Sequence, residues 1–396
     1  MNTAIYTITS KLHDEAAVRL ATQQFLATIT LPFDFYDADY TTYGSHALNL
    51  IYVRTGGTED VFLEKYRSLL EKCDAPFYLL TSGKSNSLAA SMEILSFLRQ
   101  HDLAGEIIHG TPEYVNRRIA VLEQAATVRR TLKGQRLGII GKSSDWLISS
   151  VYDTDAVSRG LGVTLTEIPI AEVEKAFEHA VEPEASAPTG NEVADRYKNG
   201  AEKIYQALKT VVQQHGLSGF TLRCFDLLSS LHNTGCLGLA KLNAEGFVAG
   251  CEGDVPAMLS MAVARAMSGV SGFQANPARI DSETGEILFA HCTIPLDMCE
   301  RYEFDSHFES GIGVAIRGYL AAGPVTVFKI SGDLRRMFVA EGELLECQAA
   351  PNLCRTQLLI RLDDKSQTEY FFKRPIGNHH IVLPGRWKDV LEELFK

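Results

Sequence analysis

Up to Gly272 the chain repeats one rhythm: a short apolar run of strand length, a turn of small polar residues, then a longer stretch whose apolar side chains recur at helical spacing. Strands joined through helices cannot pair as hairpins, so this alternation predicts parallel sheets with crossover helices. In the first unit the strand candidates are residues 3–8, 47–53, 77–80 and 106–109, and the helix candidates are 15–29, 58–72 and 87–101. The last helix carries Leu88, Met92, Leu95 and Leu98 on one face. A long helix over 112–132 leads to Lys133-Gly134, where a second α/β pattern begins with strands at 136–141, 163–168, 219–224 and 247–251. Its helices are expected at 144–159, 191–214, 225–244 and 255–267, and residues 181–190 read as an exposed acidic loop. After Gly272 the texture changes to β-branched, apolar runs at 311–320, 324–331, 335–346, 355–362 and 379–383, separated by Gly, Pro and Asp turns. That pattern predicts an antiparallel β domain, and a helix closes the chain from 387. The expected fold is therefore α/β: two Rossmann-like (flavodoxin-like) parallel-sheet domains, 1–133 and 134–272, followed by an antiparallel, barrel-like C-terminal β domain, 273–396.

Charge and composition narrow the partners. Lys plus Arg number 38 against 49 Asp plus Glu, a net charge of −11, which disfavours nucleic acid and anionic membrane surfaces as partners. The N-terminal stretch has no basic region leading into an apolar core, and no run approaches the roughly 20 apolar residues of a bilayer span. A soluble, cytoplasmic protein is expected, with its eight cysteines as thiols and none in a CxxC pair.

Gly141-Lys142-Ser143 at a strand end invites a phosphate-loop reading, but the earlier glycine of that motif falls on Arg136, and only Gly138 and Gly141 match a dinucleotide fingerprint. A plain strand-to-helix turn is expected there, with no nucleotide. More informative is Gly250-Cys251-Glu252-Gly253-Asp254-Val255-Pro256, the end of a buried strand, a glycine-flexed turn and a helix start. Asp254 suits the N-cap and Pro256 the first helical turn. Glu252 has no such local duty, and a carboxylate among apolar sequence needs a cation or donors unless it is a solvated turn residue. His291 lies in an apolar strand, and His379 and His380 sit at the entry to another; adjacent strand residues face opposite ways, so one of that pair points into a given site. One carboxylate with one or two imidazoles suits Mn²⁺, Co²⁺ or Fe²⁺.

These residues resemble the L-fucose isomerase and L-arabinose isomerase superfamily over about residues 220–383. The matching segments are Cys224-Phe225-Asp226, Gly235-Cys236-Leu237, Cys251-Glu252-Gly253-Asp254, His291-Cys292, His307-Phe308-Glu309-Ser310-Gly311, Gly323-Pro324-Val325-Thr326 and Gly377-Asn378-His379-His380. The resemblance implies an aldose–ketose isomerase working through an enediol with Mn²⁺ or another divalent cation, on a small-molecule sugar. It implies Glu252 and Asp254 as catalytic residues, and Glu252, His291 and His379 or His380 as metal ligands. The family's second metal carboxylate falls on Asn276, a neutral amide. Cys224, His307, Glu309 and Asn378 are the implied sugar contacts. A homo-oligomer, trimer or hexamer, is also implied, in which residues 55–59 or 82–86 of one chain approach the sugar of another. A sugar-binding protein without turnover is the alternative.

Overall fold

The structure is a computed structural model that describes residues 1–73, 75–184 and 188–396. Residues 185–187 of the expected acidic loop lie outside the described residues. The chain divides into two compact units, Met1–Arg130 and Thr131–Lys396.

The first unit is a parallel five-stranded sheet, β1 (Thr3–Ile8), β2 (Phe33–Asp37), β3 (Leu48–Val53), β4 (Phe77–Thr81) and β5 (Gly105–Ile108), in the order β2-β1-β3-β4-β5. Its crossover helices are α1 (Glu15–Leu26), α2 (Glu59–Lys72) and α3 (Ser87–Gln100), and α4 (Pro112–Leu132) follows β5. All six residues of β1 and of β3 are buried, because helices cover both faces of the sheet. Alternate side chains feed two cores: Ile5, Leu50 and Tyr52 face one, and Ala4, Tyr6 and Ile51 the other. The edge strand β2 escapes a sequence reading because it alternates Phe and Tyr with Asp and is only half-buried.

The second unit joins a parallel sheet to a barrel. Its sheet comprises β6 (Arg136–Ile140), β7 (Thr164–Ile168), β8 (Gly219–Leu222) and β9 (Val248–Cys251), in the order β7-β6-β8-β9. Helices α5 (Thr154–Leu161), α6 (Ile170–Glu178), α7 (Glu192–Gln214), α8 (Asp226–Ser230), α9 (Cys236–Ala244) and α10 (Val255–Ser268) accompany it. Two expected helices are corrected here. The helix expected over 144–159 shrinks to α5, because Asp153 caps it by accepting from Ala156 N at 2.9 Å and residues 144–151 run as successive turns. The helix expected over 225–244 breaks between α8 and α9, where His232 adopts a left-handed φ of 49° and Asn233 donates to Tyr197 O.

Beyond Gly272 come β10 (Phe273–Asp281), β11 (Glu286–His291), the separate ribbon of β12 (Arg301–Asp305) and β13 (Ala315–Tyr319), then β14 (Gly323–Ile330), β15 (Met337–Cys347), β16 (Thr356–Leu362) and β17 (His380–Pro384). Six of these close an antiparallel barrel in the order β10-β11-β16-β15-β14-β17, as the change in texture predicts. Closure leaves no unpaired barrel edge. Inward side chains such as Phe273, Phe289, Val327, Ile360 and Val382 fill the interior, each worth roughly 1.5–3 kcal/mol of burial. On the outside, β14 packs on α10, where Ile330 N donates to Ser260 Oγ at 3.0 Å. Among the described residues no helix is long and apolar enough to cross a membrane.

Candidate functional site

Three segments of the second unit converge: the turn after β9, the end of β11 and the entry to β17. Glu252 leaves β9 in a left-handed conformation, φ 64°, followed by Gly253 at φ 68°. A non-glycine residue in that region costs about 1–2 kcal/mol, so the turn must be held from outside. It is held by Ser144 N donating to Glu252 O at 2.9 Å and by Gly253 N donating to Leu222 O at 2.9 Å. Gly253 is required, because a Cβ there would lie 2.3 Å from Lys142 O. Thus the Gly141–Ser143 turn serves to brace the Glu252 turn, and Ser143 Oγ adds a bond to Gly253 O.

The Glu252 side chain is buried, and its two oxygens have different surroundings. Oε1 lies 3.4 Å from His291 Nε2 and 3.5 Å from His379 Nε2, whereas Oε2 accepts a 2.7 Å hydrogen bond from Trp146 Nε1. Burial alone would raise the carboxyl pKa, but the imidazoles of His379 and His291 outweigh it and hold it well below the usual carboxylate range. His291 is oriented by Thr293 Oγ1, 2.9 Å from its Nδ1, and its ring meets that of His379 edge-on.

Asp254 combines two duties. Oδ1 caps α10 by accepting from Ala257 N at 2.9 Å, as its position predicts. Oδ2 lies 2.8 Å from His379 Nδ1 and 3.4 Å from Lys329 Nζ, a lysine on β14 that is as fully buried as the aspartate. Burial opposes the charge on Asp254, but Lys329 and His379 prevail and its carboxyl is held low. Burial likewise favours neutral His379, yet Glu252 and Asp254 raise its pKa to about 9. A carboxylate on Nδ1 fixes the ring so that Nε2 faces Glu252. Both Asp254 oxygens are engaged and the residue has no exposure, so it meets the Glu252 cluster through His379.

The structure decides between the adjacent histidines. His380 points into the barrel among Phe289, Phe338, Tyr370 and Phe371. Its Nδ1 donates to Asn378 O at 3.0 Å and its Nε2 lies 3.0 Å from Tyr370 Oη. Burial and the nearby Lys329 push its pKa down to about 3. His380 is therefore removed from the candidate ligands: both nitrogens are taken and neither meets Glu252. We expect His380→Phe to leave the Glu252–His291–His379 cluster in place while lowering stability by about 1–3 kcal/mol, the range for stranding its buried partners. Denaturant titration checks this, and an unchanged free energy of unfolding would show that the contacts to Tyr370 and Asn378 contribute nothing.

Glu252, His291 and His379 each offer a ligand atom within 4.8 Å of the others. His379 Nε2 and Asn276 Oδ1 are buried and make no hydrogen bond to any described residue. Asn276 pairs with Ala290, the neighbour of His291, and follows Ala275, which pairs with His380. The orphaned imidazole nitrogen facing the Glu252 carboxylate fits a divalent cation of the Mn²⁺ type, and the unpartnered Asn276 amide oxygen has the chemistry of a further ligand. Binding through Nε2 requires the His379 proton to leave.

The other expected contacts sit differently. His307 is buried 5.5 Å from the Phe225 ring, which in turn meets Trp146 at 4.8 Å, and burial lowers its pKa. Glu309 is exposed, and so is the Asn378 side chain. The Cys224 thiol lies 3.1 Å from Cys251 Sγ in the core of the second sheet. All eight cysteines are free. Trp146 and Lys329 carry no local sequence signal: Trp146 falls within the helix expected over 144–159, and Lys329 sits in an apolar strand with nothing to mark its partner.

No protein-family model matches the chain. It is similar to a sulfoquinovose isomerase. That relative, from Clostridium sp. (strain MSTE9), is 23% identical over 320 residues, which cover 78% of this chain and 68% of the relative. The aligned length exceeds the whole second unit, 131–396, in which the Glu252 cluster lies.

Proposed function

We propose that this chain is a sugar aldose–ketose isomerase of the fucose/arabinose isomerase type, acting on sulfoquinovose or a hexose similarly substituted with an anionic group. The isomerase reading agrees with the relative just described; the observation that carries it is the buried convergence of Glu252, His291 and His379. Interconversion moves one proton between C2 of the aldose and C1 of the ketose through an enediol. Glu252 is assigned that proton: its Oε1 faces the imidazoles, while Oε2 is oriented by the Trp146 N–H. Glu252, His291, His379 and Asn276 would hold a divalent cation, which would stabilise the negative charge that develops on the sugar in the enediol step. Asp254, backed by Lys329, keeps His379 in the required orientation. The half-exposed Trp146, with Phe225 and His307 behind it, forms an aromatic wall beside the carboxylate.

The reading is tested by incubating the protein with sulfoquinovose and Mn²⁺ and following the sugar by NMR. The expected result is its ketose, sulfofructose, accumulating to an equilibrium reached from either side, with loss of turnover after chelation and recovery on adding Mn²⁺. Saturable sugar binding without any ketose would instead support a binding protein on this fold. Turnover unchanged by prolonged chelation would remove the cation from the account.

A further inference from the structure

A sugar that carries an anionic group needs a cation near Glu252, and most of the cations there are already spent. Arg223 is saturated: its Nε meets both oxygens of Asp226 at 2.9 and 3.0 Å, its Nη2 lies 2.8 Å from Asp145, and its Nη1 donates to Ser143 O. Lys142 lies 3.4 Å from the same Asp145 and is 74% exposed. Lys329 is buried against Asp254. None of the three has a charge free for a ligand.

Arg355 differs. Asp305, at the end of β12, serves two guanidinium groups with one oxygen: Oδ2 lies 2.8 Å from Arg317 Nη2 and 3.5 Å from Arg355 Nε. Its Oδ1 is taken by Ser306 N at 2.7 Å and Asn191 Nδ2 at 3.3 Å. Two cations against one carboxylate leave a positive charge uncompensated, and Glu309, the next carboxylate along the chain, is exposed and pairs with neither arginine. Ser306 fixes the Arg355 fork, its carbonyl accepting from Nε at 2.8 Å and its hydroxyl from Nη2 at 3.1 Å, while the Phe308 ring lies 5.7 Å from the guanidinium carbon. Arg355 Nη1 is left without a hydrogen bond among the described residues. Arg317 Nη1 is buried and equally unmet. A preorganised guanidinium with surplus charge and a spare donor is the chemistry that recognises a tetrahedral oxyanion.

This fork shares the neighbourhood of Glu252. Ser306 precedes His307, whose ring meets Phe225, which meets Trp146, the donor to Glu252 Oε2. Burial lowers the His307 pKa, and the charges that act on it are Glu309, Glu252 and Arg355.

We infer that Arg355 is a specificity residue that binds the sulfonate or phosphate on C6 of a hexose whose C1 and C2 face Glu252, its charge freed because Arg317 claims Asp305. The placement of the sugar rests on the isomerase reading above. Calorimetry on the full chain with Mn²⁺ tests the assignment, with sulfoquinovose, glucose 6-phosphate and glucose as ligands. At least one anionic sugar is expected to bind about tenfold or more tightly than glucose, and the two dissociation constants separate sulfonate from phosphate preference. Arg355→Gln is expected to weaken binding of that sugar about 10–100-fold, the range for losing a charged hydrogen-bond donor. Arg355→Lys keeps the charge without the fork and is expected to retain part of the preference, so it carries the test if the glutamine variant fails to fold. No anionic preference in the parent, or a preference undiminished in the folded variants, would overturn the assignment. A preference that Arg355→Gln abolishes, in a parent that forms no ketose, would remove the isomerase reading and keep this site; ketose formed without any such preference would do the reverse.

Discussion

Replacing Glu252 by glutamine is expected to lower aldose–ketose interconversion by about 10³-fold or more, within the range produced by losing a positioned proton carrier, without unfolding the protein. Glutamine keeps the shape, the left-handed backbone and an oxygen able to accept from Trp146 Nε1. The bonds that hold the turn come from backbone groups of Glu252 and Gly253 and survive the change. What disappears is the negative charge facing His291 and His379. His379 then keeps Asp254 as its one close carboxylate, so its pKa should fall from about 9. A melting temperature within about 5 °C of the parent, together with the rate loss, separates a catalytic effect from a structural one. Full activity in a folded Glu252→Gln variant would remove this residue from the mechanism.

The second large effect concerns stability. Lys329→Met is expected to lower the free energy of unfolding by about 3–5 kcal/mol, the usual consequence of leaving one member of a buried ion pair behind. Lys329 and Asp254 are 1% and 0% exposed in their side chains, and the methionine would abandon the Asp254 carboxylate against α10. Gly377 belongs to the same arrangement: a Cβ on it would stand 3.0 Å from Lys329 Nζ, so the ammonium occupies space that any larger residue would take. The exposed pair Arg19–Glu15, with 70% and 86% exposure, provides the contrast. Its removal by Arg19→Ala should change stability by less than about 1 kcal/mol. Urea titrations of both variants measure the difference directly, and equal, small effects would show that Lys329 does not anchor the Asp254–His379 pair.

Much of this architecture is readable from local pattern. Fully buried strands such as β1 and β3 declare themselves as largely apolar runs, interrupted only by Thr3, Thr7 and Asn49, and the barrel by its β-branched segments and Gly or Asp turns. Glu252 stands out because glycines at 250 and 253 flank a carboxylate that no helix cap explains, and Asp254 because it precedes Pro256 at a helix start. The alternation of a strand shows that His379 and His380 must diverge but not which one turns toward Glu252. That choice is made by Tyr370 and Asn378 claiming His380, contacts that form only when the barrel closes. Trp146 was hidden because Ser144 N bonds to Glu252 O across more than a hundred residues and pulls the segment out of its apparent helix. Lys329 was hidden because its partner is the N-cap of α10, far away in the chain, and strand periodicity does not report so long-range a contact.

Incubation with sulfoquinovose and Mn²⁺ in D₂O, followed by mass spectrometry and NMR of the recovered sugar, reaches the central claim most directly. A proton carried by Glu252 through an enediol exchanges with solvent, so deuterium is predicted at C2 of the aldose and C1 of the ketose, and in neither sugar with the Glu252→Gln variant. Efficient interconversion with no deuterium incorporated into either sugar would point to direct hydride movement and contradict the role given to Glu252.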